Sequence, residues 1–294
     1  MRDTILKSIL KKPPKGDLFD FKKNQVALSC VFIFYKRYDL METILHNLNS
    51  QCFPKNSFQV VIVEDRGGSI QGDALSGKFS DLNIEYYAPD HGWGKMGFMR
   101  NFGLSKARGE IILFLDDDTV IGDTKFLKTL CCKFDQDPSI DGIMPKGQAS
   151  FALIKGQYFF HDPFFFTNRC MAYRKKCLEA LNGFDSNFVG QEDVELAIRF
   201  IATGKKAIKA KDLIYYHPPL VYTDTAKGYA VGASFASSKY SLIIKWLLFI
   251  NGIRWLPLYF SPVLKHKFMA RFALGFFKGF IFKLFNKKTR VIYH

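Results

Sequence analysis

Three adjacent carboxylates, Asp116, Asp117 and Asp118, directly follow the apolar run at residues 111–115. That run is typical of a buried strand of a parallel sheet, so we expect the carboxylates at the tip of a strand. Without a cation, carboxylates packed so closely would repel one another. Oxygen ligands of this kind suit a hard divalent ion, Mg²⁺ or Mn²⁺, that also carries a phosphate group. The alternative is an acidic turn in which Asp116 or Asp118 caps the next helix.

Two further acidic sites lie in comparable places along the chain. Asp65 follows the apolar run at 58–63, and Glu192 and Asp193 open a helical pattern. Acids in a first helical turn also complement the helix dipole, which is an alternative explanation for Glu192 and Asp193. The glycine-bounded loop at 183–190 just before them is suited to presenting side chains into a cleft.

The order of the elements indicates how these acids could meet. Strands and helices alternate from about Asn24 onward. Alternation of this kind predicts a doubly wound, mostly parallel sheet with ligand sites at the carboxyl ends of its strands. We therefore expect the acidic sites on one rim of the sheet. The predicted strands are 26–35, 58–63, 84–87, 111–115 and 168–173, and the predicted helices are 39–50, 98–108, 124–136, 174–181 and one from Glu192.

Taken in order, these motifs resemble the family 2 glycosyltransferases of the GT-A fold. The resemblance runs from about Val26 to His217, some two thirds of the chain. It rests on Tyr35-Lys36-Arg37, VIVEDRGGS, MRNFGLSKARGEIILFLDDDT, LNGFDSNFVGQEDVELAIR and IYYHPP. It implies an α/β fold of the GT-A type, a Rossmann-like, mostly parallel sheet flanked by helices. To this the chain adds a C-terminal basic, aromatic helical tail.

The resemblance also implies roles for single residues. Asp65 matches the acid that accepts a hydrogen bond from the uracil of the donor, and Arg100 matches a basic residue of the nucleotide pocket. Asp116 and Asp118 match the two carboxylates of the DxD motif, the first toward the ribose and the second on the metal. The residues expected on the donor are Tyr35, Arg37, Asp65, Arg100, Asp116 and Asp117, and those expected on the metal are Asp116, Asp118 and His217.

The catalytic base implied by the resemblance is Asp193, with Glu192 beside it as the second candidate. His217 falls where some members of the family place a further metal ligand. A lone histidine before two prolines is equally well explained as a turn residue.

The chain departs from the family pattern around the nucleotide base. Its first strand ends Ile33-Phe34-Tyr35-Lys36, where the family usually has proline, a small residue, an aromatic residue and asparagine. Glu64 stands where an aspartate is usual, and Arg66-Gly67-Gly68 replaces the common Gly-Ser. The glycines within 91–97 suit either a mobile loop over the donor sugar or an ordinary connection. These departures leave the donor base less well specified than the metal site.

The implied reaction is a metal-dependent transfer with inversion, with Mn²⁺ or Mg²⁺ as cofactor. The sugar would pass from a nucleotide-sugar, with UDP favoured, to a hydroxyl of a lipid-linked or cell-surface glycan. An alternative within the same fold transfers the sugar to a polyprenyl phosphate, which needs no base. A nucleic-acid-binding protein is disfavoured because phosphate tracking needs basic residues along a groove. An oligomer is left open.

Basic residues are concentrated after Asp224. Twelve of the 42 Lys and Arg residues and none of the 27 Asp and Glu residues lie there, which leaves a net charge of +3 for the first 224 residues. An apolar stretch at 240–260 is interrupted by charges and proline, so we do not expect it to span a membrane. A helix over 264–286, aromatic on one side and basic on another, suits an anionic membrane surface; its alternative is packing on the catalytic domain. The aromatic side is Phe268, Phe272, Phe276 and Phe280, and the basic side is Lys267, Arg271 and Lys278.

The location expected from the sequence is cytoplasmic, peripheral on the inner face of the membrane. The six cysteines show no metal-binding spacing and suit reduced core thiols of a cytosolic protein. The first residues contain no apolar stretch long enough for a signal peptide. We expect a basic N-terminal segment at 1–23, a GT-A domain at 24–225 and a membrane-associating tail at 226–294.

Overall fold

One mixed sheet of seven strands organises the chain. A computed structural model describes residues 2–150, 165–218 and 225–286. The strand order is β3-β2-β1-β4-β6-β5-β7. β1 lies between β2 and β4 and is parallel to both, whereas β6 is antiparallel to β4 and β5. The strands are β1 Val26–Phe34, β2 Phe58–Glu64, β3 Ile84–Tyr87, β4 Gly109–Asp116, β5 Gly142–Ala149, β6 Cys170–Arg174 and β7 Ala207–His217.

Helices cover both faces of this sheet, as the predicted α/β class requires. In the described residues they are α1 Arg2–Ile9, α2 Tyr38–Asn49, α3 Ile70–Lys78, α4 Met96–Lys106, α5 Phe126–Gln136, α6 Lys175–Leu181, α7 Glu192–Ala202, α8 Thr225–Ser237, α9 Leu242–Ile253 and α10 Leu264–Phe285. Every strand and helix predicted above is present, with bounds that differ by at most two residues.

The central strands are apolar throughout because both of their sides are buried. In β1, Phe32 and Phe34 point into one core with α2 and α5, while Val31 and Ile33 point into the opposite core with α4, α6 and α7. Successive side chains of a strand point to opposite faces, so a strand covered by helices on both sides needs apolar residues at every position.

The register of the sheet brings the expected site residues to one edge. Asp116 of β4 lies opposite Ile33 of β1, and Glu64 of β2 lies opposite Phe34. Val120, after the acidic triplet, and Tyr216 of β7 exchange two backbone hydrogen bonds of 2.8 Å each. This bridge places the end of β7, with His217, beneath the turn that follows β4.

The C-terminal helices pack against the part of the chain that contains the sheet instead of standing apart from it. Phe276 and Phe280 of α10 are only 3% and 1% exposed. They share a core with Val231 and Phe235 of α8 and with Phe188 of the loop before α7. The expectation that the phenylalanine stripe of α10 faces a membrane is therefore wrong for Phe276 and Phe280. The domain division at 225 stays a prediction, and residues 287–294 of the expected tail lie outside the described residues.

The close approach of α8 and α10 depends on glycine. A Cβ at Gly232 would lie 2.2 Å from the carbonyl oxygen of Phe276, and one at Gly279 would lie 1.9 Å from that of Tyr229. Real Cβ atoms do not approach other atoms so closely, so these positions admit only glycine at this helix separation.

Two other features of the chain bear on its location. By length and composition alone, the helical stretch at 242–260 could cross a membrane, and 6% of it is buried. All six cysteines are free thiols. Cys30, Cys131, Cys170 and Cys177 are buried as expected, but Cys52 and Cys132 are exposed, so the expectation of core thiols is wrong for those two.

Candidate active site

Cationic side chains surround the acidic triplet at the end of β4. The Arg37 guanidinium donates to Asp117 and Asp118 at 2.7 and 2.6 Å. The Arg100 guanidinium donates to Asp116 at 2.7 Å. Burial, opposed by Arg37 and reinforced by the neighbouring carboxylates, raises the pKa of Asp117 to about 7. The triplet is thus an electrostatically crowded site whose charge the chain balances with its own cations.

His217, at the end of β7, completes a set of metal ligands with the triplet. Its Nε2 lies 3.0 Å from Oδ1 of Asp118 and 3.8 Å from Oδ2 of Asp116. Burial lowers the pKa of His217, but its contacts with the Asp116 and Asp118 carboxylates outweigh burial and raise the pKa to about 9. Desolvation opposes ionisation of Asp116, yet the neighbouring His217 and Arg100 cations hold its pKa well below the ordinary value.

These three side chains fit a divalent cation. One ligand atom each from Asp116, Asp118 and His217 lie within 4.8 Å of one another. Two carboxylates with one imidazole suit Mn²⁺ or Mg²⁺, and three protein ligands leave coordination positions for phosphate oxygens. The imidazole lies at the end of β7 and meets the carboxylates directly, which is compatible with a ligand role for His217.

Arg100 connects the triplet to the second acidic site. It lies on α4, is 4% exposed, and its Nε lies 3.4 Å from Oε1 of Glu192 at the start of α7. The carbon of its guanidinium also lies over the Phe114 ring, 5.5 Å from the ring centroid. The ends of β4 and α7 are therefore joined through one buried cation.

Glu192 and Asp193 have different surroundings. Glu192 is buried against Arg100, and burial together with the Asp193 charge raises its pKa to about 7. Asp193 is half-buried and accepts backbone N–H bonds from Asn168 at 3.1 Å and Val194 at 2.7 Å. Burial raises the pKa of Asp193 as well, despite the bond from Asn168. Both acids are thus shifted toward the pH range in which a general base works well.

A second group of residues lies at the end of β2, on the other side of β1 from the triplet. The carboxylate of Asp65 accepts the backbone N–H of Gly94 at 3.1 and 3.2 Å. The Arg66 guanidinium stacks over the Tyr35 ring at 4.9 Å. Adjacent strands lie about 4.8 Å apart, so two strand spacings separate Asp65 from the triplet by roughly 10 Å. That separation suits a nucleoside at one end and its diphosphate at the other.

Sequence reasoning missed the parts of the site that depend on tertiary contacts. Arg66 has a φ of 68°, and this backbone conformation turns its side chain back over Tyr35. Glu64 is buried and accepts hydrogen bonds from the hydroxyls of Tyr38, Ser69 and Tyr86 at 2.8, 2.9 and 2.5 Å. The signal for Glu64 was its departure from the family pattern, and the three hydroxyls explain why the longer acid stands there.

Two buried donors near the acids lack hydrogen-bond partners. Among the described residues, Nη1 of Arg100 and Nδ2 of Asn168 are both inaccessible and unbonded. A buried N–H without an acceptor costs free energy, which an acceptor oxygen of a bound molecule would remove. Asn168 was not singled out in the sequence, since nothing in its spacing sets it apart.

The comparisons with known proteins agree with this geometry. Residues 29–188 match the family model described as glycosyl transferase family 2, and the chain belongs to this family. The O-antigen biosynthesis protein RfbC of Myxococcus xanthus is 26% identical over 212 residues, which cover 62% of this chain and 16% of RfbC. The poly(ribitol-phosphate) beta-N-acetylglucosaminyltransferase TarS of Staphylococcus aureus is 31% identical over 96 residues, which cover 33% of this chain and 17% of TarS. The chain thus spans about a sixth of the length of these relatives.

Solved structures confirm the GT-A fold. The crystal structure of S. aureus TarS 1–349 in complex with UDP-GlcNAc has a TM-score of 0.59 at 21% identity, covering 86% of this chain and 80% of that one. The mannosyltransferase PcManGT from Pyrobaculum calidifontis, in complex with GDP-Man and Mn²⁺, has a TM-score of 0.61 at 16% identity, covering 98% and 94%.

Proposed function

We propose that this chain moves a sugar from a nucleotide-sugar, a UDP-sugar by preference, to a hydroxyl of a lipid-linked or cell-surface glycan. The transfer depends on a divalent ion and inverts the anomeric carbon. The observation that carries the proposal is the Arg100 guanidinium, which contacts both Asp116 at 2.7 Å and Glu192 at 3.4 Å. It links the donor end of the sheet to Glu192, the residue next to the candidate base Asp193.

The relatives support this donor and acceptor class. The two structural neighbours described above hold UDP-GlcNAc and GDP-Man, so a nucleotide-sugar suits the shared fold. The printed names of the relatives refer to an O-antigen and to poly(ribitol-phosphate), both of them surface polymers. Asp65, with Tyr35 and Arg66 beside it, is assigned to the nucleoside, and uracil can donate its ring N–H to the Asp65 carboxylate.

The residues that would hold Mn²⁺ or Mg²⁺ are Asp116, Asp118 and His217. When bound, the ion supplies positive charge that stabilises the departing nucleoside diphosphate as a Lewis acid. Arg37 and Arg100 add fixed positive charges on the same side of the sheet, where charge-assisted bonds to phosphate oxygens are strong. Asp117 is assigned to keep Arg37 in place through their 2.7 Å contact.

Asp193 is assigned as the general base. It removes the proton of the acceptor hydroxyl while that oxygen attacks the anomeric carbon opposite the leaving group. Glu192 is the weaker candidate, because it is buried and held by Arg100, whereas Asp193 is half-buried and bonded only to backbone N–H groups. A carboxylate with a raised pKa is a stronger base, which suits proton removal near neutral pH.

We also infer that the chain works in the cytoplasm, peripheral on the inner face of the membrane. Two observations support this location. The six cysteines are all free thiols, as is usual in a reducing compartment. The sequence after Asp224 contains twelve basic residues and no acidic one, which favours an anionic lipid surface.

A donor screen tests the catalytic proposal. Nucleoside diphosphate release is measured with UDP-, GDP- and dTDP-sugars in Mn²⁺, in Mg²⁺ and in a chelator. We expect release with one nucleotide class, only with a divalent ion, and its loss in Asp118→Asn. The matched control is Asp212→Asn. Asp212 lies in the middle of β7, and its surface carboxylate pairs with Lys133 of α5. Release that is unchanged by the chelator and by Asp118→Asn would contradict the metal site.

A further inference from the structure

The most unusual surface of the molecule is an apolar face on α9 and the residues after it. Among the nineteen exposed large apolar side chains of the described residues, twelve lie between positions 242 and 285. On α9 they recur at i, i+1, i+4, i+5 and i+8, the spacing of one helix face. These α9 residues are Leu242, Ile243, Trp246, Leu247 and Ile250.

Exposed apolar side chains also follow α9 along the chain, in a 3₁₀ turn and at the start of α10. Tyr259 and Phe260 of the turn Leu256–Phe260 are exposed, as are Val263 and Leu264 after it. We call this surface, from Leu242 to Leu264, the α9 face. Contiguous exposed apolar patches mark sites of interaction with a partner or a membrane.

Charge identifies the partner of the α9 face. Arg254 lies within this stretch of the chain, and Lys267, Arg271 and Lys278 of the following helix α10 are also exposed. The sequence after Asp224 contains no carboxylate side chain. The Arg254 guanidinium lies over the Trp255 ring at 4.8 Å. A helical surface of aromatic and aliphatic residues bordered by basic ones is typical of adsorption to anionic lipid. We infer that the α9 face inserts into the surface of an anionic bilayer.

The dimensions of α9 favour a position in the plane of the bilayer. Its 12 residues measure about 18 Å, whereas the hydrocarbon core is about 30 Å thick. The helix ends at Ile253, and the charged Arg254 separates it from the 3₁₀ turn. An arginine within the hydrocarbon core is costly. The face therefore lies at the level of the head groups, with Arg254 toward the lipid phosphates.

The α9 face is fixed to the helix that carries the candidate base. Ile244, on the opposite side of α9, packs with Ile198 of α7 and Leu10 after α1. Tyr240, just before α9, donates to the buried Glu195 of α7 at 2.9 Å. A bilayer that binds α9 is thus held at a fixed position relative to Asp193, which brings a lipid-borne acceptor to the site. This consequence rests on the proposed sugar transfer, whereas the contact between the α9 face and the bilayer does not.

The short helix α1 packs on the buried side of α9. Leu6 of α1 and Leu10 just after it join the cluster that contains Ile244 of α9 and Ile198 of α7. These contacts help to hold α9 in a fixed position on α7.

The test uses the full chain and a double substitution, Ile243→Glu with Ile250→Glu. Flotation is measured at low and high salt with two kinds of vesicle, phosphatidylcholine alone and phosphatidylcholine with roughly 30% phosphatidylglycerol as the anionic lipid. We expect binding to the anionic vesicles that weakens with salt. The double variant should bind at least ~10-fold more weakly, because it loses apolar contact and adds two negative charges. The matched control is Ile70→Glu, the same change at an exposed isoleucine of α3, which should bind as the unaltered chain does.

Other outcomes overturn the inference. Retained vesicle binding in the double variant places the lipid contact elsewhere. Self-association in sedimentation, abolished by the double variant without any vesicle binding, makes the α9 face an interface between two copies. Resistance of the bound chain to extraction by alkaline carbonate contradicts the in-plane position. Nucleoside diphosphate release in solution should be equal in all three chains, so a failure of catalysis is distinguished from a failure of membrane binding.

Discussion

The assignment of Asp193 as the base predicts a specific kinetic defect for Asp193→Asn. Asparagine has the same size but cannot accept the acceptor proton. The Asp193 carboxylate accepts hydrogen bonds from the backbone N–H groups of Asn168 and Val194. In the variant the amide nitrogen, which cannot accept, faces one of these two N–H groups. Loss of one such bond costs about 1 kcal/mol of stability, so the variant should fold.

The size of the defect follows from the role of the group. Removal of a general base lowers kcat by ~10²–10⁴, equivalent to roughly 3–5 kcal/mol in the activation free energy. Among the described residues Asp193 makes no hydrogen bond or ion pair with Arg37, Arg100 or the triplet. It meets Asp116 and Arg100 only through a longer-range charge interaction, so donor affinity should change by less than about threefold. Glu192→Gln should instead weaken donor binding, because Glu192 contacts Arg100 directly.

The assay combines nucleoside diphosphate release at saturating donor and acceptor with calorimetric titration of the donor. Asp212→Asn is again the control. A normal kcat for Asp193→Asn with a large loss for Glu192→Gln would move the base to Glu192. Normal kcat values for both would refute the base altogether and support a polyprenyl phosphate acceptor, whose oxygen is already ionised.

Three further predictions concern charge and packing. Arg37→Ala should raise the affinity of the donor-free chain for Mn²⁺ by about fivefold, because the half-exposed positive charge removed from beside Asp118 is worth about 1 kcal/mol. The same substitution should weaken donor binding. Calorimetric titrations with Mn²⁺ alone and with donor measure the two effects. The raised pKa of Glu192, about 7 against an ordinary 4.5, means that the folded state binds this proton more tightly than the unfolded state, so the free energy of unfolding falls as pH rises from about 4.5 to about 7. In urea unfolding, the free energy of unfolding of Glu192→Gln minus that of the unaltered chain should therefore be larger at pH ~8 than at pH ~4.5. Gly279→Ala should lower Tm by several degrees because α8 and α10 must separate, whereas Gly77→Ala in α3, with no atom within 4 Å of the new Cβ, should be neutral or slightly stabilising.

The strands that carry the site could be predicted because they are buried on both faces. β1, β2 and β4 read as continuous apolar runs, and the acids at their ends stand out against them. β5 and β7 could not be predicted in the same way. β5 contains Pro145 beside a register shift, and β7 is partly exposed and contains two lysines. Only the pairing of these two strands with each other reveals them.

The tail shows where periodicity alone gives the wrong surface. The four-residue spacing of phenylalanines correctly predicted a helix, but the spacing does not say which partner covers the stripe. α8 is rich in glycine and alanine and has no strong apolar stripe of its own, so its helix was not predicted. Its small residues admit α10 closely enough to bury Phe276 and Phe280. The apolar face that remains exposed belongs to α9.

The residues of the site were mostly identifiable, whereas their contacts were not. The triplet, Asp65, Arg100 and His217 stand in ordered motifs of the sequence. The links of Arg100 to Glu192 and of His217 to Asp118 join residues 92 and 99 positions apart, and such links come only from the folded sheet.

The central claim, that Asp116, Asp118 and His217 hold a divalent ion at the donor diphosphate, is tested most directly by crystallography. Crystals of the chain grown with Mn²⁺ and the UDP-sugar of the donor screen would be measured at the manganese absorption edge. We predict one anomalous peak within about 2.2 Å of ligand atoms of these three residues and of the diphosphate oxygens, with Asp65 facing the base. An anomalous peak elsewhere, or a donor bound in this cleft with no manganese beside Asp118, would contradict the account.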